Sequence, residues 1–294
     1  METNKRLLKR GVTLFSYSDL LNVCMTMEDC FKDMADMGVT CVEILAGHVE
    51  NYPNPTSAWI DYFRSLCEKY QIEPGEYGHW YDTRVYQDHY LDVDESLEYL
   101  EKDFRIAHLL GFKVLRTKLT ALNMNCDPVP GWEKYLEKAI ILAEKYDVVM
   151  CSEIHRPTAL TTQHIQDYIG FIERTGTKHF GFNVDFGIFQ NKFPEIVAKK
   201  GQSKRLKMPE TFSYPEDLKI VLPYTHCCHA KFNYMDDNFE EITIPYKEIL
   251  QVLKDEKWEG CLISEYEGPR KDEPDFVYSQ LRKHQILMKR ILGY

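Results

Sequence analysis

The feature that most constrains the fold is a regular alternation along the whole chain. Short apolar runs are separated by longer amphipathic stretches. Eight runs have strand character: GVTLFS (11–16), TCVEIL (40–45), IEPGEYG (72–78), KVLRTKL (113–119), VVMCSE (148–153), HFGFNVD (179–185), THCCHAK (225–231) and GCLISE (260–265). The intervening segments read as helices. MEDCFKDMADMG (27–38) places Cys30, Phe31, Met34 and Met37 on one face, and SLEYLEKDFRIAHLLGF (96–112) does the same with Leu97, Leu100, Phe104, Ala107 and Leu110. Gly38, Gly111 and Gly181 stand where turns from helix to strand are expected.

Strand and helix repeated eight times, joined by right-handed crossovers, predict a single (β/α)8 TIM barrel over residues 1–294. The length fits, because a barrel of this kind takes roughly 250 residues. A doubly wound open sheet predicts a glycine-rich phosphate turn after the first strand, and SYSDLLN (16–22) offers none. Pro74 and Gly75 make the third strand the least regular. One loop is long: residues 186–213, after the sixth strand, start aromatic (Phe186, Phe189, Phe193) and turn basic (Lys199, Lys200, Lys204, Arg205, Lys207). It reads as a lid, a docking surface or a solvated loop.

The formal net charge of -10 argues against nucleic acid as a partner. No apolar window is long enough for a membrane span, and METNKRLLKRGVTLF lacks the apolar centre of a secretory signal. Nine cysteines with no CxxC pair predict reduced, mostly buried thiols in a cytoplasmic protein. Cys227-Cys228 is either a redox pair or, more simply, two small core residues.

In a barrel of this type the C-terminal strand ends converge on one face. Four consecutive strands bring metal-binding residues there: Glu153, Asp185, His229 and Glu265. Two Glu, one Asp and one His make an open, oxygen-rich site suited to one divalent metal, Mn²⁺ above all, with Mg²⁺, Co²⁺ or Zn²⁺ as alternatives. The bland reading makes these carboxylates helix caps or salt-bridge partners. On the seventh strand, Cys227, His229 and Lys231 share one face, so His229 rather than His226 is the expected ligand.

Other strand-end residues are candidates by position. His155, two residues beyond Glu153, is either a general acid–base or a hydrogen-bonding neighbour of the site. Lys118 is placed to neutralise an oxyanion or to pair with Glu153. Glu43, His48 and His79 are candidates to hold substrate hydroxyls, and Glu267 is expected to be peripheral. Tyr17, Tyr77, Trp80, Tyr81, Tyr86, Phe186, Phe189, Phe232, Tyr234 and Tyr266 follow strands, predicting an aromatic rim that covers a ring-bearing substrate.

The quartet Glu153, Asp185, His229 and Glu265 resembles that of the xylose isomerase-like sugar epimerase/isomerase superfamily, along essentially the whole chain. Within it, TLFSYSD (13–19), GVTCVEIL (38–45), YDTRVY (81–86), LGFKVLRTK (110–118), SEIHRPT (152–158), VDFGIF (184–189) and HAKF (229–232) look most like the α subunits of bacterial C-glycoside deglycosidases. The resemblance implies that the four residues bind one divalent metal and that Glu153 and Glu265 also move protons. It implies a catalytic histidine, here His155, and a small β-subunit partner in a hetero-oligomer. The implied activity is a lyase that cleaves the C–C bond between a 3-oxo sugar and an aromatic aglycone through a metal-stabilised enediolate. A keto-sugar epimerase or isomerase using the same chemistry is the alternative. An abasic-site endonuclease fits the acidic charge poorly, and a non-catalytic sugar-sensing barrel leaves the quartet without a purpose.

Overall fold

The computed structural model describes residues 8–79, 92–117, 128–197 and 212–293. Eight parallel strands close into a barrel in chain order. They are β1 (Lys9–Thr13), β2 (Cys41–Leu45), β3 (Glu73–His79), β4 (Val114–Thr117), β5 (Val149–Ile154), β6 (Phe180–Asp185), β7 (Thr225–Phe232) and β8 (Cys261–Tyr266). The helices are α1 (Met27–Asp36), α2 (Ser57–Tyr70), α3 (Val93–Leu110), α4 (Trp132–Tyr146), α5 (Gln163–Thr175), α6 (Leu218–Val221), α7 (Tyr246–Asp255) and α8 (Pro274–Leu292). The expected TIM barrel is therefore the observed one. No helix among the described residues is long and apolar enough to cross a membrane.

Local chemistry sets the element ends. Thr26 and Asp29 close a capping box at the start of α1, and Asp92 with Glu95 does so for α3. Gly111 ends α3 with φ 88°, the left-handed conformation that glycine adopts without cost. Gly181 departs from the expectation. It lies inside β6, where the His226 ring packs over it, rather than in a turn. The third strand is complete despite Pro74 and Gly75. Val42 pairs with Pro74 and Glu43 with Glu76, so Gly75 is passed over as a bulge.

Packing separates two environments. The layer between strands and helices is apolar and aromatic, with Phe31, Phe63, Phe104, Phe112, Phe171 and Phe182 fully buried. The barrel interior is polar from its middle upward. TIM barrels usually fill that space with branched aliphatics. Here Ile263 and three cysteines, Cys41, Cys227 and Cys261, form the floor, and above them lie the buried Glu43, Glu76, Arg116, Asn183 and His229.

Cys41 and Cys261, on the strands flanking β1, meet side by side in the barrel floor, with Cα atoms 7.7 Å apart. Closure of the barrel brings together two residues separated by 220 positions, which no sequence spacing reveals. Cys24, Cys30, Cys67, Cys151, Cys227 and Cys228 are free. Cys227 and Cys228 are buried core residues.

Candidate metal centre

Side chains alternate along a strand, so one inward residue fixes the parity of its neighbours. On β6 the inward pair is Asn183 and Asp185; on β7 it is His229 and Lys231, as expected. One ligand atom each from Glu153, Asp185 and His229 lies within 4.8 Å of the others. Glu265 joins them through Oε2, 3.5 Å from Nδ1 of His229, and Glu153 Oε1 is 3.3 Å from the same nitrogen. Among the described residues, Nδ1 of His229 and Oε2 of Glu265 are buried and have no hydrogen-bond partner. Donors of this kind, gathered and unsatisfied, fit a divalent cation.

Below the imidazole lies a second carboxylate set. Nε2 of His229 is 3.2 Å from both Glu43 Oε1 and Glu76 Oε2. Asn183 donates its amide to Glu76 at 2.7 Å. One ligand atom each from Glu43, Glu76 and His229 likewise lies within 4.8 Å of the others. Both carboxylates are fully buried against the His229 imidazole, and neither lines the cavity. The upper set borders a cavity of about 370 Å³, which a metal and a substrate can share.

Arg116 ties the two levels together. Its Nε donates to Glu43 at 3.0 Å and its Nη1 to Glu153 at 2.9 Å. The guanidinium lies across β3 at Gly78, where a Cβ would stand 2.6 Å from Nη2. Lys231 neutralises the other side, 3.0 Å from Asp185, 3.2 Å from Glu267 and 3.7 Å from Glu265. Asp185 also accepts the Gly187 amide at 2.6 Å, and a side chain at 187 would collide with Asp185 and Lys231.

These contacts set the charges. Burial pushes the Glu153 carboxyl up, but Arg116 and His229 outweigh it and hold it well below the usual range. Burial likewise opposes ionisation of Glu265, yet Lys231 and His229 bring it down to about 2. Burial raises Asp185 despite Lys231. In the metal-free protein burial disfavours an imidazolium at His229, but Glu43 and Glu265 lift it well above its ordinary value.

His155 lines the cavity and is buried. Its Nδ1 lies 2.6 Å from the Arg156 carbonyl. A carbonyl only accepts, so Nδ1 carries the proton, and Nε2 of the neutral ring is the basic nitrogen.

Several predicted residues are placed elsewhere. Glu43 sits beneath the metal donors. His48 accepts the Leu45 amide at 3.0 Å, and burial lowers it to about 4. His79 points into the helix layer, 2.7 Å from Asp103 on α3. Tyr17, Tyr77, Phe186, Phe189, Phe232 and Tyr266 are fully buried rather than forming a rim. Phe186 packs on Phe189 and Tyr246. These residues occupy outward-facing or post-strand positions, where the helices cover them. Lys118, Trp80, Tyr81 and Tyr86 lie outside the described residues, as does 198–211 of the long loop. Glu267, expected to be peripheral, lines the cavity.

Sequence reasoning placed Lys231 on the face of His229 without giving it a role, and it passed over Arg116, Glu76, Asn183 and Arg156. Parity could have found the first three of these. Arg116 shares the face of Lys118 and Asn183 that of Asp185, while an unbroken third strand would have brought Glu76 inward.

Residues 31–285 match the xylose isomerase-like TIM barrel family. The 3'-dehydrocarminate deglycosidase alpha subunit of Microbacterium sp. is 24% identical, covering 96% of this chain and 95% of the relative. A C-glycoside deglycosidase alpha subunit of Arthrobacter globiformis is 22% identical over 88% of this chain and 84% of its own. Among solved structures, D-psicose 3-epimerase of Clostridium cellulolyticum H10 superimposes with a TM-score of 0.70 at 12% identity, covering 97% of this chain and 99% of that one. The relatives named here are enzymes.

Proposed function

We propose that this chain, which belongs to the xylose isomerase-like TIM barrel family, is the catalytic α subunit of a C-glycoside deglycosidase and folds as one barrel domain. The observation that carries the reading is the convergence of Glu153, Asp185 and His229 under a cavity whose wall holds Glu265 and His155. The two relatives above are both named as alpha subunits of deglycosidases, which supports a smaller partner for this chain as well.

Glu153, Asp185, His229 and Glu265 would hold one divalent metal, Mn²⁺ by the balance of oxygen and nitrogen donors. Bound there, the metal supplies Lewis acidity to the sugar carbonyl and stabilises negative charge developing on its oxygen. The remaining work falls to side chains. In a 3-oxo glycoside the carbonyl acidifies the C2–H, and Glu153 or Glu265, both ionised, accepts that proton. The electron pair released at C2 forms a C1–C2 double bond as the C1–aglycone bond breaks. The aglycone departs with that bonding pair, and its ring carbon takes up the proton that the carboxylate accepted from C2, which restores the carboxylate. His155 exchanges a proton with an aglycone phenol through Nε2, which makes the ring a better leaving group. Arg116 and Lys231 hold the carboxylates in place and ionised.

Return of the C2 proton to the opposite face would make the same site a keto-sugar epimerase, since Glu153 and Glu265 are both at hand. One assay separates the two. Mn²⁺-loaded protein is incubated with a 3-oxo C-glucoside of a flavonoid, with and without the candidate small subunit. Metal-dependent release of free aglycone is expected. A new stereoisomer of the keto-sugar without release would replace the lyase with the epimerase.

A further inference from the structure

The inward column of β7 continues past the metal donors, from His229 to Lys231 and then to Asn233, just beyond the end of the strand. Glu267 stands at the matching height beyond β8, where its amide donates to the Phe232 carbonyl at 3.1 Å. Asn233 and Glu267 both line the cavity, and Asn233 is half-buried.

The side-chain amide of Asn233 is held in one orientation. Oε1 of Glu241, in the loop after β7, accepts the backbone N–H groups of Asn233 at 3.1 Å and Tyr234 at 3.3 Å. Oε2 accepts those of Thr243 at 2.6 Å and of Ile244. Both oxygens are therefore acceptors, and the Thr243 hydroxyl, 2.8 Å from Oε1, donates to that carboxylate. With its hydrogen committed, the Thr243 oxygen can only accept, and it takes Nδ2 of Asn233 at 2.9 Å. Glu241 and Thr243 are buried, and the Thr243 carbonyl also accepts the amides of Asn191 and Lys192 from the loop after β6. A flipped Asn233 amide would set oxygen against oxygen. Oδ1 is thus turned away from Thr243, and it has no hydrogen-bond partner among the described residues.

An amide oxygen accepts and does not donate. Glu267, 3.2 Å from Lys231, is a second acceptor at the same height. A group that fits this part of the wall must bring hydrogens, as a sugar hydroxyl does and an ether or an aromatic edge does not. His155, which the deglycosidase reading sets beside the aglycone, follows β5, two strands away. The hydroxyl therefore belongs to the sugar, on the carbons beyond its C3 carbonyl.

We propose that Asn233, oriented by Glu241 through Thr243, accepts a hydrogen bond from the C4 or C6 hydroxyl of the sugar and selects glycosides that keep it. The inference rests on the deglycosidase reading and adds a specificity-determining residue to it.

The test reads equilibrium binding of unoxidised C-glucosides to Mn²⁺-loaded protein. Without the C3 carbonyl their C2–H is not acidified, so they bind without turnover. A flavonoid C-glucoside is compared with its 4-deoxy and 6-deoxy counterparts. The wild type is expected to bind one of the two deoxy ligands about fivefold to a hundredfold more weakly than the parent, the usual cost of leaving an acceptor unpaired. N233A should weaken the parent by the same factor and leave that deoxy ligand unchanged. T243V, which releases the amide to turn, should lose part of the difference. Circular dichroism and metal content report that the variants are intact. If the wild type binds all three ligands alike, or N233A weakens them all equally and keeps the difference, the assignment is overturned. Aglycone release from the 3-oxo C-glucoside is measured alongside. Selective binding without release would keep Asn233 as a sugar contact and remove the lyase, whereas release without selectivity would keep the lyase and remove Asn233.

Discussion

Nε2 of His229 lies 3.2 Å from Oε1 of Glu43, on the opposite side of the imidazole from the metal donors. Two carboxylates share this nitrogen, but their surroundings differ. Burial opposes ionisation of Glu43, yet His229 and Arg116 keep it below the ordinary carboxylate range. Burial pushes Glu76 above that range. Glu43 is the more readily ionised of the two, and under the proposed metal site it would hold the Nε2–H while Nδ1 faces the metal. Glu43→Gln is expected to weaken Mn²⁺ binding by about tenfold to a hundredfold. Glu76→Gln should weaken it far less. Titration calorimetry on the two variants decides the matter, and equal losses would count against the assignment.

Metal binding should release a proton. In the metal-free protein His229 titrates well above its ordinary value, so it is protonated at neutral pH, and a metal ligand must be deprotonated. About one proton per ion is expected at pH 7. Calorimetry in buffers of different ionisation enthalpy measures it. Affinity should rise with pH until the raised value is passed. A buffer-independent enthalpy would show that His229 is neutral beforehand or is not a ligand.

Arg116 is the interior cation on which the lower carboxylates depend. Its pairing with Glu43 and Glu153 is buried on both sides. Arg116→Met removes the charge and keeps most of the volume. It is expected to destabilise the protein by about 3–5 kcal/mol, the usual cost of leaving a buried charge unpaired. Urea unfolding of the metal-free protein tests this, and a shift near zero would mean the carboxylates protonate at little expense.

Two further variants separate binding from chemistry. Asp185→Ala should abolish metal retention and activity while leaving a folded barrel, because Asp185 contacts the site rather than the apolar layer. His155→Ala should keep its metal and lose about 10²- to 10⁴-fold in turnover, the usual range for an acid–base group. Metal analysis and aglycone release read the two effects. Unchanged turnover in the His155 variant would reduce that residue to a neighbour of the site.

The parts of the site that were legible in sequence are those whose parity and height follow from one strand alone. Glu153, Asp185, His229 and Glu265 each end an apolar run, and the barrel brings them together. His79 and Tyr17 also stand near strand ends, but the helices that receive them decide their direction. Tyr17 is fully buried, with Cys30 and Asp33 of α1 and Tyr278 of α8 as neighbours. Glu76 was hidden by the bulge at Gly75, which shifts the register so that Glu43 and Glu76 pair side by side.

The sequence by itself determined the alternation of strand and helix, the closed barrel and the strand ends that carry Glu153, Asp185, His229 and Glu265. Those depend on local periodicity and on a fold that always gathers its strand ends at one face. Only the tertiary structure decided the buried network of Glu43, Glu76, Arg116 and Asn183 under His229 and the meeting of Cys41 with Cys261 in the barrel floor. Each joins residues from different strands or loops. Contacts of that kind are set by barrel closure and by competition among charges for the same buried space, neither of which any single segment encodes.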